Sequence, residues 1–158
     1  MFNPSVSFIQ DTIVACYGES CDKLEEGAWV KMADTREIRA GHSSEVIRDS
    51  VYLVGGYGSP YMTELVKVTG EAVNGFSLYP GRYDHCSVKI SDNIVITGGQ
   101  LQAVIDGQVT HQVTAQVTEF SGLGGEVTAR ELPDLLTGRR YHGCGQYMAG
   151  ETQVMVRL

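Results

Sequence analysis

His42-Ser-Ser-Glu-Val-Ile-Arg-Asp49-Ser-Val-Tyr-Leu-Val-Gly55-Gly56 lies over His85-Cys-Ser-Val-Lys-Ile-Ser-Asp92-Asn-Ile-Val-Ile-Thr-Gly98-Gly99 without a gap. Each stretch reads as a strand of small and apolar residues, an Asp-containing turn, a nearly all-apolar strand and a glycine pair. An apolar strand of that kind is expected to be covered on both faces. The same frame fits Asp11-Thr-Ile-Val-Ala-Cys-Tyr17-Gly18, with Tyr in place of the first glycine, and fits His142 to Leu158 more loosely. Arg-x-x-His opens three of these stretches: Arg39 to His42, Arg82 to His85 and Arg139 to His142. Self-similarity at this period marks a repeat architecture.

Behind each glycine pair the sequence predicts a second hairpin. Glu64–Val68 is set to pair with Gly75–Leu78, and Gln112–Phe120 with Gly125–Leu132. Cys21–Met32 is a shorter version of the same in the first repeat. No stretch carries helical periodicity, and the 19 glycines among 158 residues suit a chain of many tight turns. The expected fold is therefore all-β, one domain over 1–158, built of four-stranded antiparallel sheets. Their expected bounds are about 5–32, 42–78 and 84–132, with the inner hairpin of a further sheet at about 141–158.

The pattern resembles the kelch repeat. The glycine pair closing the second strand, Trp29 or Phe76 in the fourth, and Arg-x-x-His opening the next repeat carry the likeness, which runs from about Ser5 to Leu158. It departs where the first repeat lacks one glycine, where the third lacks a fourth-strand Trp, and where Val68 and Glu119-Phe120 stand in place of a third-strand Tyr. The resemblance implies β-propeller blades. Three blades and a hairpin make a half propeller, which is expected to close its ring as a homodimer, because each open blade face would otherwise lie in water; a fragment of a longer propeller or an open arc is the alternative.

The resemblance also implies where partners are met: the loops Ala33–Gly41, Gly56–Thr63, Tyr79–Tyr83, Gln100–His111 and Pro133–Tyr141. Arg36, Arg39, Tyr57, Tyr61, Tyr79, Arg82, Tyr83, Arg139, Arg140 and Tyr141 are the candidate partner-binding residues there. Arginine forks and tyrosine rings suit an acidic or aromatic protein surface. Arg39, Arg82 and Arg139 recur at one repeat position, where tying neighbouring repeats together is the competing role. His42, His85 and His142 also recur, but with no carboxylate or thiolate at a fixed offset they are assigned to packing rather than to a metal.

No Ser-centred elbow, phosphate loop, dinucleotide fingerprint or zinc spacing occurs. The expected function is a non-catalytic protein-interaction scaffold with no cofactor and no metal. The alternative is a sugar- or glycan-acting enzyme, or a lectin-like binder, using Arg36, Glu37, Glu64 and Arg82. A net charge of −7 and a pI near 5.0 speak against nucleic acid as partner. The longest apolar run is far short of a membrane span, and residues 1–18 do not read as a secretory leader. Cys16 and Cys21 flank a Tyr-Gly-Glu-Ser turn within reach of a disulfide, which leaves bridged and free forms both open. Cys86 and Cys144 are expected as buried free thiols.

Overall fold

The computed structural model describes residues 4–149 and 152–157. Among the described residues the regular elements are all strands. The chain divides into two compact units, Met1–Tyr83 and Asp84–Leu158.

In the first unit, β1 (Ser5–Ile9), β2 (Thr12–Glu25) and β3 (Ala28–Arg39) form an antiparallel sheet in that order. β1 and β2 meet in full register from Ser5↔Cys16 to Ile9↔Thr12. Their link, Gln10-Asp11, has φ of 46° and 63°. Two left-handed residues in a two-residue link match the twist of the strands they join, which is why an Asp sits there. The second sheet takes β4 (Ser43–Ile47), β5 (Ser50–Val54), β6 (Met62–Lys67) and β7 (Ala72–Ser77) in sequential order, and β8 (Arg82–Tyr83) ends the unit. β5 is buried at all five positions, as its apolar run requires. One core joins the two sheets: Ile9, Val14, Cys16, Cys21 and Ala33 from the first against Val51, Leu53 and Val66 from the second.

The first repeat departs from expectation. Residues 12–25 form one bulged strand rather than two strands about an open turn, and β3 runs on to Arg39 instead of ending near residue 32. Register shifts fall between Gly18 and Ser20 and between Cys21 and Asp22. Five extended residues would span about 16 Å. The bulge, with Gly18 at φ 55°, brings the Cys16 and Cys21 Cα atoms to 4.0 Å, and the two are joined by a disulfide.

In the second unit, β9 (Cys86–Ile90) and β10 (Asn93–Thr97) are followed by a hairpin of β11 (Gln100–Ile105) and β12 (Gln108–Val113). β13 (Val117–Ser121) and β14 (Thr128–Leu132) then complete the four-stranded sheet β14-β13-β10-β9. β15 (Cys144–Ala149) and β16 (Thr152–Arg157) form the final hairpin. Val88, Val95, Val117 and Leu135 form one core cluster of this unit, with Cys144 packed against it.

Two expectations are corrected here. Gln100–His111 is not a loop, and β13 starts at Val117 rather than Gln112. Asp106-Gly107, at φ 52° and 76°, turns the chain so that Gln100 pairs with Val113. That inserted hairpin of 14 residues, 100–113, accounts for the histidines being 57 residues apart here and 43 apart in the preceding repeat. Cys86 and Cys144 are not buried free thiols either. They are half-buried and joined in a disulfide across 58 residues, with Cα atoms 5.9 Å apart.

Candidate functional site

Three loops of the first unit are stitched together by backbone hydrogen bonds. Ala40 and Tyr57 exchange both of theirs, at 3.1 and 2.7 Å. Leu78 N–H donates to Tyr61 O at 2.8 Å, Arg82 N–H to Pro60 O at 3.0 Å, and Gly56 N–H to Arg82 O at 3.1 Å. Gly58 has to be glycine: a Cβ there would lie 2.5 Å from the Ile38 carbonyl oxygen, at a φ of 104°. The segments 36–41, 55–62 and 78–83 therefore form one backbone-linked surface.

Beneath it lies a buried ion pair. Arg39 and Glu64 are each 1% exposed. Arg39 Nη1–H donates to Gly55 O at 3.0 Å and Met62 O at 3.3 Å, and Nη2–H donates to Glu64 Oε2 at 3.0 Å. Arg36 N–H donates to Glu64 Oε1 at 2.6 Å. Burial lowers the Arg39 pKa, and the charges of Glu64 and Glu37 oppose that shift. Arg39 thus holds the rim of β5 and β6 from inside.

On the outside stand Tyr57, Tyr61 and Tyr79 with Ile38, all exposed, Tyr79 to 79%. Tyr57 meets the buried Tyr83 edge to face, with centroids 5.6 Å apart. The Tyr61 ring lies over Gly81, where a Cβ would come within 2.5 Å of it. Ser59 Oγ–H donates to Glu37 Oε2 at 3.2 Å. Arg36 is exposed at the edge.

The candidates are thus sorted by burial. Tyr57, Tyr61, Tyr79 and Arg36 reach the surface. Arg39, Arg82 and Tyr83 do not, so burial takes these three out of direct partner contact. Glu64 faces Arg39 rather than an opening, so Arg36, Glu37, Glu64 and Arg82 do not converge on one exposed site. Ile38 belongs to the surface and went unnoticed in the sequence, because a lone aliphatic residue between Glu37 and Arg39 carries no mark of its own exposure.

Arg139, Arg140 and Tyr141 belong to the second unit. Arg139 is half-buried and its carbonyl accepts the Gly99 N–H at 2.8 Å. The Arg140 guanidinium lies 5.3 Å from the centroid of the exposed Tyr141 ring. A hydrogen bond to Asp84 raises the Tyr141 pKa, and the Asp84 charge adds to it.

The repeated histidines are structural links. His42 Nε2 bonds Ser5 Oγ at 2.8 Å, and His142 Nε2 bonds Thr97 Oγ1 at 2.9 Å. Burial first and the Arg39 charge second push the His42 pKa down to about 4, against a hydrogen bond to the Cys16 backbone. Unfolded, it titrates near 6.5. Between these values the unfolded chain takes up a proton that the folded one refuses, so stability present above pH 6.5 is lost as the pH falls. The gap corresponds to about 3 kcal/mol by pH 4. Urea unfolding of wild type and His42→Gln across pH 7.5 to 4 checks this: the variant is expected to lose that part of the slope, and parallel profiles would refute the assignment.

No protein-family model matches the sequence, and no curated protein matches it. The fold is similar to that in a solved structure titled "Structure of YjhT", with a TM-score of 0.71 over 89% of this chain at 14% identity. The match takes in 55% of YjhT, so the chain spans about half the length of that protein. At that identity the likeness concerns the fold alone.

Proposed function

We propose that this chain is a half propeller of kelch type, completed to a ring by a second copy, and that it is a non-catalytic scaffold binding a protein partner. Its contact surface is the Ile38, Tyr57, Tyr61 and Tyr79 face. The observation that carries this reading is the exposure of four large apolar or aromatic side chains on three backbone-linked loops, above a buried ion pair. Rigid tyrosines contribute large contact area at little cost in side-chain freedom, which is the usual make-up of a protein-binding hot spot. The Arg-x-x-His repeats support the half-propeller count. With Arg39 and Arg82 buried, contact is led by aromatic residues and Arg36 plays a rim part, so affinity depends only weakly on salt.

The test is a set of immobilised chains: wild type, Tyr57→Ala/Tyr79→Ala, and, as a surface control in the second unit, Glu126→Gln, an exposed position outside the candidate loops. A partner retained by wild type and control and lost from the double variant, with about a hundredfold weaker binding on titration with the purified partner, is the expected result. Binding to a glycan array that vanishes in the double variant would instead establish the glycan-binding alternative. Equal retention on all three chains would remove the tyrosine face from the site.

A further inference from the structure

The first sheet has one covered face and one bare face. Ile9, Val14 and Cys16 point into the core against Val51 and Leu53, and Ser7 Oγ meets Ser44 Oγ at 2.7 Å on the same side. On the other side Val6 is 62% exposed and Phe8 65%, with Ile13 and Tyr17 also exposed. The hairpin registers bring the apolar residues together, since Val6 pairs with Ala15 and Phe8 with Ile13.

The repeat shows what this face is built to meet. Placing Asp11 over Asp49 puts Phe8 on Val46, Ile13 on Val51, Ala15 on Leu53 and Val6 on Ser44. The pairings agree, because Val46 faces Val51 and Ser44 faces Leu53 across β4 and β5. In the second sheet these are the positions covered by the preceding sheet, with Val51 and Leu53 both 0% exposed. The first sheet presents the same face, in the same register, with nothing over it among the described residues. Stacked repeats bury a continuous core, and each contacts only its neighbours.

We infer that the Val6, Phe8, Ile13 and Tyr17 face is an interface that takes a second copy of this chain, which lays its β15–β16 hairpin there as a preceding repeat. The chain supplies its own precedent for the contact in the packing of its first sheet on its second. The β15–β16 hairpin opens a further repeat in the His142 frame, and such a hairpin is the element that a preceding repeat sets against this face. A two-fold axis makes the contact twice, once from each copy. This rests on the two-chain reading above and adds the surface to it.

The experiment is light scattering after size exclusion, over a range of concentrations, on wild type, Val6→Ser/Phe8→Ser, Ile13→Thr and Leu136→Ser. Wild type and Leu136→Ser are expected at twice 17.2 kDa. Val6→Ser/Phe8→Ser is expected at 17.2 kDa, with a dissociation constant raised about a hundredfold and an unchanged circular dichroism spectrum. If that variant fails to fold, Ile13→Thr gives the same reading through a smaller rise. Dimers that survive in the folded variants overturn this surface and leave the two-chain reading standing. A monomeric or aggregating wild type overturns both.

Discussion

Replacing Cys86 and Cys144 by serine is expected to lower the stability of the second unit by about 4 kcal/mol, against about 2 kcal/mol in the first unit for the same change at Cys16 and Cys21. The difference follows from the loops closed. One bridge spans 58 residues and the other 5, and the loop-closure entropy taken from the unfolded chain grows with the logarithm of that length. The long bridge also ties β15 to β9, so that the last hairpin is anchored to the sheet of the preceding repeat. Urea unfolding of the two double variants, with a thiol titration of the native protein, checks this. No titratable thiol in the native protein and the larger loss for Cys86/Cys144 are expected. Two reactive thiols, or the reverse order of stability, would sink the argument. Because the bridges involve all four cysteines, production under reducing conditions is expected to yield the weakened form and production under oxidising conditions the stable one.

The second repeat was legible in detail because three local signals agreed there: an Asp turn, a run of four apolar residues, Val51–Val54, and a glycine pair. Each has a separate physical cause, in a tight turn whose left-handed residue is Arg48 at φ 58°, in two-sided burial, and in close backbone approach at Gly56, where a Cβ would lie 3.0 Å from those of Arg39 and His42. Asp106-Gly107 was equally legible as a hairpin turn, but the expectation of a loop at 100–111 passed over it. The bulge in β2 leaves no such mark, because it depends on pairing with β3. The Cys86–Cys144 bridge is also beyond local reading, since it is fixed by how β15 packs on β9. In the candidate site, residue types carry no measure of the depth of each side chain. Arg36 and Arg39 look alike in sequence, and the alternation of β3 sends one outward and the other into the rim.

That depth gives the Arg39–Glu64 pair its weight. Glu64→Ala leaves a guanidinium buried at 1% exposure with its carboxylate gone, and the Arg36 N–H loses its acceptor as well. Breaking such a pair costs about 3–5 kcal/mol, most of it the penalty of the stranded charge. Glu64→Gln keeps an acceptor for one of the two donors and turns an amide NH2 toward the other, so it is expected to lose part of that stability. The decisive comparison is Arg39→Met/Glu64→Leu. If the stranded charge is the cause, removing both partners restores most of the stability lost by Glu64→Ala, and the double-mutant cycle is strongly non-additive. Binding separates from stability in this series. The double variant keeps the fold but loses the bonds that hold Gly55 and Met62 at the ends of the 55–62 loop, so weaker partner binding in a well-folded protein is the expected result. Chemical denaturation and binding titration on these proteins, with Arg39→Met and Glu64→Leu alone to close the cycle, read both effects. A Glu64→Ala variant within about 1 kcal/mol of wild type would mean that water or a shifted side chain neutralises the charge, and the pair would then be incidental to the rim.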